Sequence, residues 1–190
     1  AAQANAYTAE GFEIGVHVDT GCNNYTLTQL ENFYTTQLAA FAARFPALPL
    51  QASERTHCIA WSDWAYQATV KAQKGIRLDT NYYYWPDAWV GNRPGMFTGS
   101  GMPMRFADLD GSMIDVYQAT TQMTDESGQT FPYTINTLLD RALGSEGYYG
   151  VFTANILSDS LNSAGSNAIV GSAQARGVPV VSGRQMLDWL

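Results

Sequence analysis

The sequence predicts an α/β domain in which short strands alternate with amphipathic helices. Three observations carry that expectation. Apolar residues recur with period two in some stretches and at helical spacing in others. Two capping boxes, Thr26 with Gln29 and Ser182 with Gln185, mark helix starts, and Gly75 and Gly177 stand just beyond helical stretches. Strands that alternate with helices pair in parallel, because each helix must carry the chain back over the sheet. A closed or partly closed (β/α) barrel is the expected result.

The elements follow in order. Phe12, Ile14, Val16 and Val18 alternate with Glu13, Gly15 and His17, so 11–18 reads as a first strand with His17 and Asp19 at its end. A helix follows from Thr26, with Tyr25 stapled against Leu30, apolar positions at Leu27, Leu30, Tyr34, Leu38, Phe41 and Phe45, and a stop at Pro46. Residues 55–61 read as a second strand, and Ser62 caps a helix that carries Lys71 and Lys74 in its last turn. Ile76 to Asp79 begins a third strand. It opens into the aromatic loop Tyr82-Tyr83-Tyr84-Trp85-Pro86 and a turn-rich stretch from Trp89 to Pro103, and a loop this long is usually functional.

Asp110-Gly111 suits a tight hairpin between 104–108 and 113–118, which reads as a β-hairpin inserted near residues 104–118. A helix is expected over 132–143, a strand over 149–153, a helix over 166–176, a short strand at 178–181, and a last helix after Ser182. No internal boundary is visible, so 1–190 is expected to be one domain.

Composition narrows the function. Of 190 residues, 46% are apolar and 14% charged, which excludes a disordered tail. No apolar run approaches the roughly 20 residues that span a bilayer, and residues 1–5 lack the basic flank and apolar stretch of a signal peptide, so a soluble chain is expected. A net charge of −7 with only two lysines leaves no basic stripe for nucleic acid. Aromatic residues at 13%, with plentiful Asn, Thr, Ser and Gln, suit neutral hydroxyl-rich ligands such as sugars, although core packing accounts for aromatics equally well. Cys22 and Cys58 permit one disulfide or two buried thiols. With the sparse lysine, they point to a secreted or cell-surface protein.

Four stretches, Gly11-Phe12-Glu13-Ile14-Gly15-Val16-His17, Glu54-Arg55-Thr56-His57, Arg77-Leu78-Asp79-Thr80-Asn81 and Ala173-Gln174-Ala175-Arg176-Gly177-Val178-Pro179-Val180, occur in the order of landmarks in polysaccharide deacetylase-like domains. The chain resembles that family, the NodB-homology or carbohydrate esterase family 4 fold, over nearly its whole length. The resemblance implies a deacetylase-type barrel, distorted or incomplete, acting on a polysaccharide or glycan through a divalent metal such as Zn²⁺. In active members a metal is held by an aspartate after the first strand and by a His-x-x-x-His motif. His17 falls on the first of these histidines, while Gly21 stands four residues on. Nothing before Gly11 resembles the family's Thr-Phe-Asp-Asp strand, so that strand lies outside this sequence or the site is rebuilt.

The residue types fit the chemistry. Deacetylation needs a Lewis acid at the acetyl carbonyl, a base and an acid, and Zn²⁺ favours imidazole and carboxylate ligands. His17, His57 and one of Asp19 or Asp79 would supply three. By resemblance Arg55 pairs with Asp79, and Asn81, Tyr84, Trp85, Trp89, Arg105 and Asn155 are the candidate substrate contacts. The family's general-acid histidine has no counterpart near Asn155, or anywhere after His57.

Blander readings stand beside these: histidines as hydrogen-bonded structural residues, Arg55 and Asp79 as a structural ion pair, and the aromatic loop as a roof over the barrel. The leading expectation is metal-dependent deacetylation. The alternatives are an inactive glycan-binding domain, motivated by the missing histidines, and a glycoside hydrolase using Asp19 and Asp79 as paired carboxylates. No Gly-x-Ser-x-Gly elbow is present, which argues against a serine esterase. Asp108-Leu109-Asp110-Gly111 lacks the closing glutamate of a calcium loop.

Overall fold

A computed structural model of the chain describes residues 1–83, 90–125, 128–157 and 163–190. Their elements run α1 (Ala2–Ala9), α2 (Leu27–Arg44), β1 (Ser53–Glu54), a 3-10 turn (His57–Ile59), α3 (Tyr66–Gln73), β2 (Leu78–Asp79), β3 (Met104–Ala107), β4 (Met113–Gln118), β5 (Thr121–Thr124), α4 (Tyr133–Leu143), β6 (Thr153–Asn155), α5 (Ala164–Ala175) and α6 (Gly183–Trp189). The fold is mixed α/β. One sheet has the order β1-β2-β4-β3, the other pairs β5 with β6. Pairing is parallel except between β3 and β4, and neither sheet closes on itself among the described residues. The chain divides into two compact units, one of residues 1–81, 104–118 and 181–190, the other of 82–103 and 119–180.

In the first unit, α2 starts as its sequence dictates. The Thr26 hydroxyl accepts from the Gln29 amide and the Gln29 side chain accepts from the Thr26 amide, at 3.3 and 2.8 Å. The face carrying Leu30 and Tyr34 then joins Val18, Tyr25, Val70 and Ile76 in one core, with Leu27, Phe33 and Leu38 packed on its rim. The expected hairpin is present, and Gly111 turns it at φ +84°, a region that disfavours side chains.

The first expected strand is not one. Residues 12–20 form no regular element, and side chains take the place of a backbone ladder. Gln51 accepts from the Val16 amide at 2.7 Å and donates to its carbonyl at 3.0 Å. Glu54 accepts from the Val18 amide at 3.1 Å, and the Glu13 carboxylate accepts from the Ser53 amide at 3.0 Å. The expected strand at 55–61 is likewise shortened to Ser53–Glu54 and followed by the 3-10 turn. Helix α3 begins after Ala65 instead of Ser62, because the Ser62 hydroxyl is engaged by the Tyr25 amide at 3.0 Å.

In the second unit, α4 buries Ile135, Leu138 and Leu139 against Met123 and Ala173. Ser163 caps α5, its hydroxyl accepting from the Ser166 amide, so that helix starts earlier than expected. The strand expected at 149–153 lies at Thr153–Asn155, and residues 178–181 form no strand. Strand β5, buried along its whole length, and α1 were not apparent in the sequence.

A buried ionic cluster joins the elements of the first unit. The ammonium of Lys71, fully buried on α3, lies 2.7 Å from Glu54 Oε2 of β1 and is bonded to Asp79 Oδ2 of β2. Glu54 also accepts from the hydroxyls of Tyr34 (2.8 Å) and Thr56 (3.1 Å). Asp79 Oδ1 accepts from the Asn81 amide (2.9 Å) and the Gln118 side chain (3.4 Å). Burial by itself would lower the Lys71 pKa. The attraction of Asp79 and then Glu54 outweighs it and lifts the group above its ordinary 10.5. Burial also lifts the Tyr34 and Tyr25 hydroxyls above 10.0.

Removing one partner from such a cluster leaves uncompensated charge. Lys71→Met is therefore expected to destabilise the protein by about 3–5 kcal/mol in urea unfolding, and Glu54→Gln, which leaves one ammonium facing one carboxylate, by less. Between the ordinary and folded pKa values of Lys71, Tyr34 and Tyr25, the folded chain keeps protons that the unfolded chain has released. Stability is therefore expected to hold up to about pH 10 and to fall as pH rises further, with a shallower fall in Tyr34→Phe, as read by thermal melts across alkaline pH.

Candidate functional site

The backbone brings the two histidines together. The His57 amide donates to the Val18 carbonyl at 2.8 Å, which places the 3-10 turn beside the segment that carries His17. The two imidazole centres are 5.3 Å apart with their planes at 84°. His17 Nδ1 is bonded to the Arg55 carbonyl. A carbonyl only accepts, so Nδ1 carries the proton and Nε2 is left with its lone pair, the arrangement that orients a metal-binding imidazole. Both histidines are exposed.

A disulfide fixes the same corner. Cys22 and Cys58 are bonded, with Cα atoms 5.2 Å apart. The ligand atoms of Cys22, His57 and Cys58 lie within 4.8 Å of one another. While the sulfurs are bonded to each other, they are poor ligands, so this grouping alone is weak support for a metal. The disulfide is compatible with an exported protein. No described helix is long and apolar enough to cross a membrane.

The remaining candidates divide. Asp19 is exposed, and its Oδ1 accepts from the Gly21 amide at 2.7 Å while Gln37 binds its backbone on both sides. Asp79 is 0% accessible and is paired with Lys71, not with Arg55 as expected. Arg55 Nη1 instead donates to the Thr80 carbonyl at 3.0 Å. Asn81 is also buried, its side chain accepting from the Thr56 amide at 2.7 Å and donating to the Thr56 hydroxyl at 3.0 Å. Arg105 is exposed on the hairpin, 3.2 Å from the Asp115 carboxylate and over the Tyr117 ring. Asn155, in β6, belongs to the second unit. Tyr84, Trp85 and Trp89 lie outside the described residues.

Two groups were missed by sequence reasoning. One is the Lys71 cluster, whose lysine looks like an ordinary helix-end charge. The other is the indole pair Trp61 and Trp64, 37% and 59% exposed. Trp61 stacks on Phe106 with centroids 5.7 Å apart, and Trp64 Nε1 donates to the Ala107 carbonyl at 2.8 Å, so both lie along the hairpin. The spacing Trp61-Ser62-Asp63-Trp64, just after His57, was the available signal.

Compared with protein-family models, with curated proteins and with solved structures, the chain matches none of them.

The disulfide closes a loop of sequence separation 36. Cys22→Ser/Cys58→Ser is expected to lose about 3–4 kcal/mol of stability in denaturant titration, and a loss under about 1 kcal/mol would show that the loop is already ordered when unfolded.

Proposed function

We propose that the protein is a carbohydrate-active hydrolase that removes acetyl groups from a polysaccharide or cell-surface glycan, with a divalent metal such as Zn²⁺ held by His17 and His57. The observation that carries the reading is the juxtaposition of two exposed imidazoles, one of them with Nδ1 anchored to a carbonyl and Nε2 available. The residues fit a metal in type, two imidazoles and the exposed carboxylate of Asp19, although among the described residues their ligand atoms do not converge as those of Cys22, His57 and Cys58 do. A bound cation would supply Lewis-acid polarisation of the acetyl carbonyl.

The chain's own groups do the rest. His17 is oriented by Arg55, whose carbonyl fixes the imidazole tautomer. Asp19 supplies the carboxylate, as ligand or proton acceptor, that Asp79 cannot supply while it neutralises Lys71. The exposed indoles of Trp61 and Trp64 offer flat apolar faces to a sugar ring. A deacetylase-type barrel and export from the cell belong to the same reading.

Metal analysis of the purified protein, with acetate release from acetylated oligosaccharides before and after chelation, tests it. One metal per chain is expected, lost in His17→Ala and His57→Ala, with acetate release falling by on the order of a hundredfold. Absence of both metal and chelator-sensitive release would overturn it.

A second reading, a glycan-binding domain without catalysis, is favoured by one observation: Asp79, a residue the family resemblance makes catalytic, is committed to the core. Under it, Trp64→Ala weakens retention on insoluble polysaccharide by roughly tenfold, about one stacking contact, while His17→Ala leaves retention unchanged. Loss of retention on His17→Ala alone would count against it.

A further inference from the structure

The disulfide corner has features that a purely structural cross-link does not need. Both half-cystines adopt φ +58°, and Ile59 follows at +47°, a left-handed conformation that costs a non-glycine residue about 1–2 kcal/mol. Such conformations concentrate at functional sites. Cys22, His57 and Cys58 are all exposed. The His57 ring has no hydrogen-bond partner among the described residues, so its nitrogens are uncommitted.

We infer that reduction converts this corner into a metal site, in which the thiolates of Cys22 and Cys58 and the imidazole of His57 hold a thiophilic divalent cation such as Zn²⁺. The inference goes beyond the deacetylase reading and does not depend on it. An external dithiol delivers two electrons and two protons to the sulfur–sulfur bond and is itself oxidised to a disulfide, leaving two protein thiols. The cation then displaces the two thiol protons to solvent as two metal–sulfur bonds and one metal–nitrogen bond form.

The three ligand atoms already share one corner, and on reduction the two sulfurs part from bonding distance to make room for a cation. Around a tetrahedral Zn²⁺, bonds of about 2.3 Å to sulfur and 2.0 Å to nitrogen put the ligand atoms roughly 3.4–3.8 Å apart. That spacing falls inside the 4.8 Å that already encloses them. Three protein ligands leave a fourth position open. Thiolates select Zn²⁺ over hard cations, so the reduced corner would discriminate against Mg²⁺ and Ca²⁺.

Cobalt(II) is the probe, because a bound thiolate gives it an intense charge-transfer absorption. The protein is reduced with dithiothreitol, desalted without air and titrated with cobalt(II), while circular dichroism follows folding. The expected result is thiolate absorption saturating at one cobalt per chain. It is absent from the disulfide form and from Cys22→Ser/Cys58→Ser, and weaker by on the order of tenfold or more in His57→Ala. If the reduced chain unfolds, recovery of the native spectrum on adding cobalt supports the site, because binding and folding are then coupled. Cobalt bound no more tightly than by the chain in urea, or equally well by His57→Ala, overturns it. Metal held with the disulfide intact and lost in His17→Ala speaks to the deacetylase reading alone, so the two stand or fall separately.

Discussion

A lysine with no access to water, facing two carboxylates, constrains the first unit more than any other interaction. An ammonium on α3 has to meet carboxylates on both β1 and β2, so the two strands and the helix over them are fixed together. Every carboxylate oxygen in it has at least one donor. Tyr34 comes in from α2, Thr56 from the segment after β1, Gln118 from β4, and the Val18 amide from the segment that carries His17. A cluster with one cation and two anions would be costly if any of these donors were missing. Its dependence on many elements at once is the reason short strands of two residues suffice here.

The cluster also bears on the exposed groups nearby. Asp79 and Asn81 are buried, while His17, His57 and Asp19 are exposed. Backbone contacts that follow from the cluster then place His57. Glu54 holds Val18, and the Val18 carbonyl receives the His57 amide. Two hydrogen bonds thus connect the buried cluster to the backbone of His57 through Val18.

What the sequence made legible follows from how local each signal is. The capping boxes at Thr26 and Ser182, the Asp110-Gly111 turn and the apolar face of α4 depend on residues a few positions apart, and all are present. The alternation at 11–18 predicts a strand that is not there, because period two reports side-chain direction and says nothing of what the backbone amides bind. Here they bind Gln51 and Glu54, some 35 residues away. Lys71 was opaque for a related reason: a lysine in the last turn of a helix fits the helix dipole at the surface, and only its long-range partners reveal that it is buried. The resemblance implies Arg55 as the partner of Asp79, whereas the cation found there is Lys71.

Several ties act on the histidine corner at once. A backbone hydrogen bond from His57 to Val18, a side-chain bond from His17 to Arg55 and a covalent bond between Cys22 and Cys58 all act on two short segments. The disulfide stabilises by closing a loop of the unfolded chain, so it adds to the native ties instead of duplicating them. Both of its cysteines stand in left-handed backbone. Together these ties hold the groups of the corner in a fixed relation, which serves the stability of the fold and would equally serve a site whose groups must be held to within a fraction of an ångström.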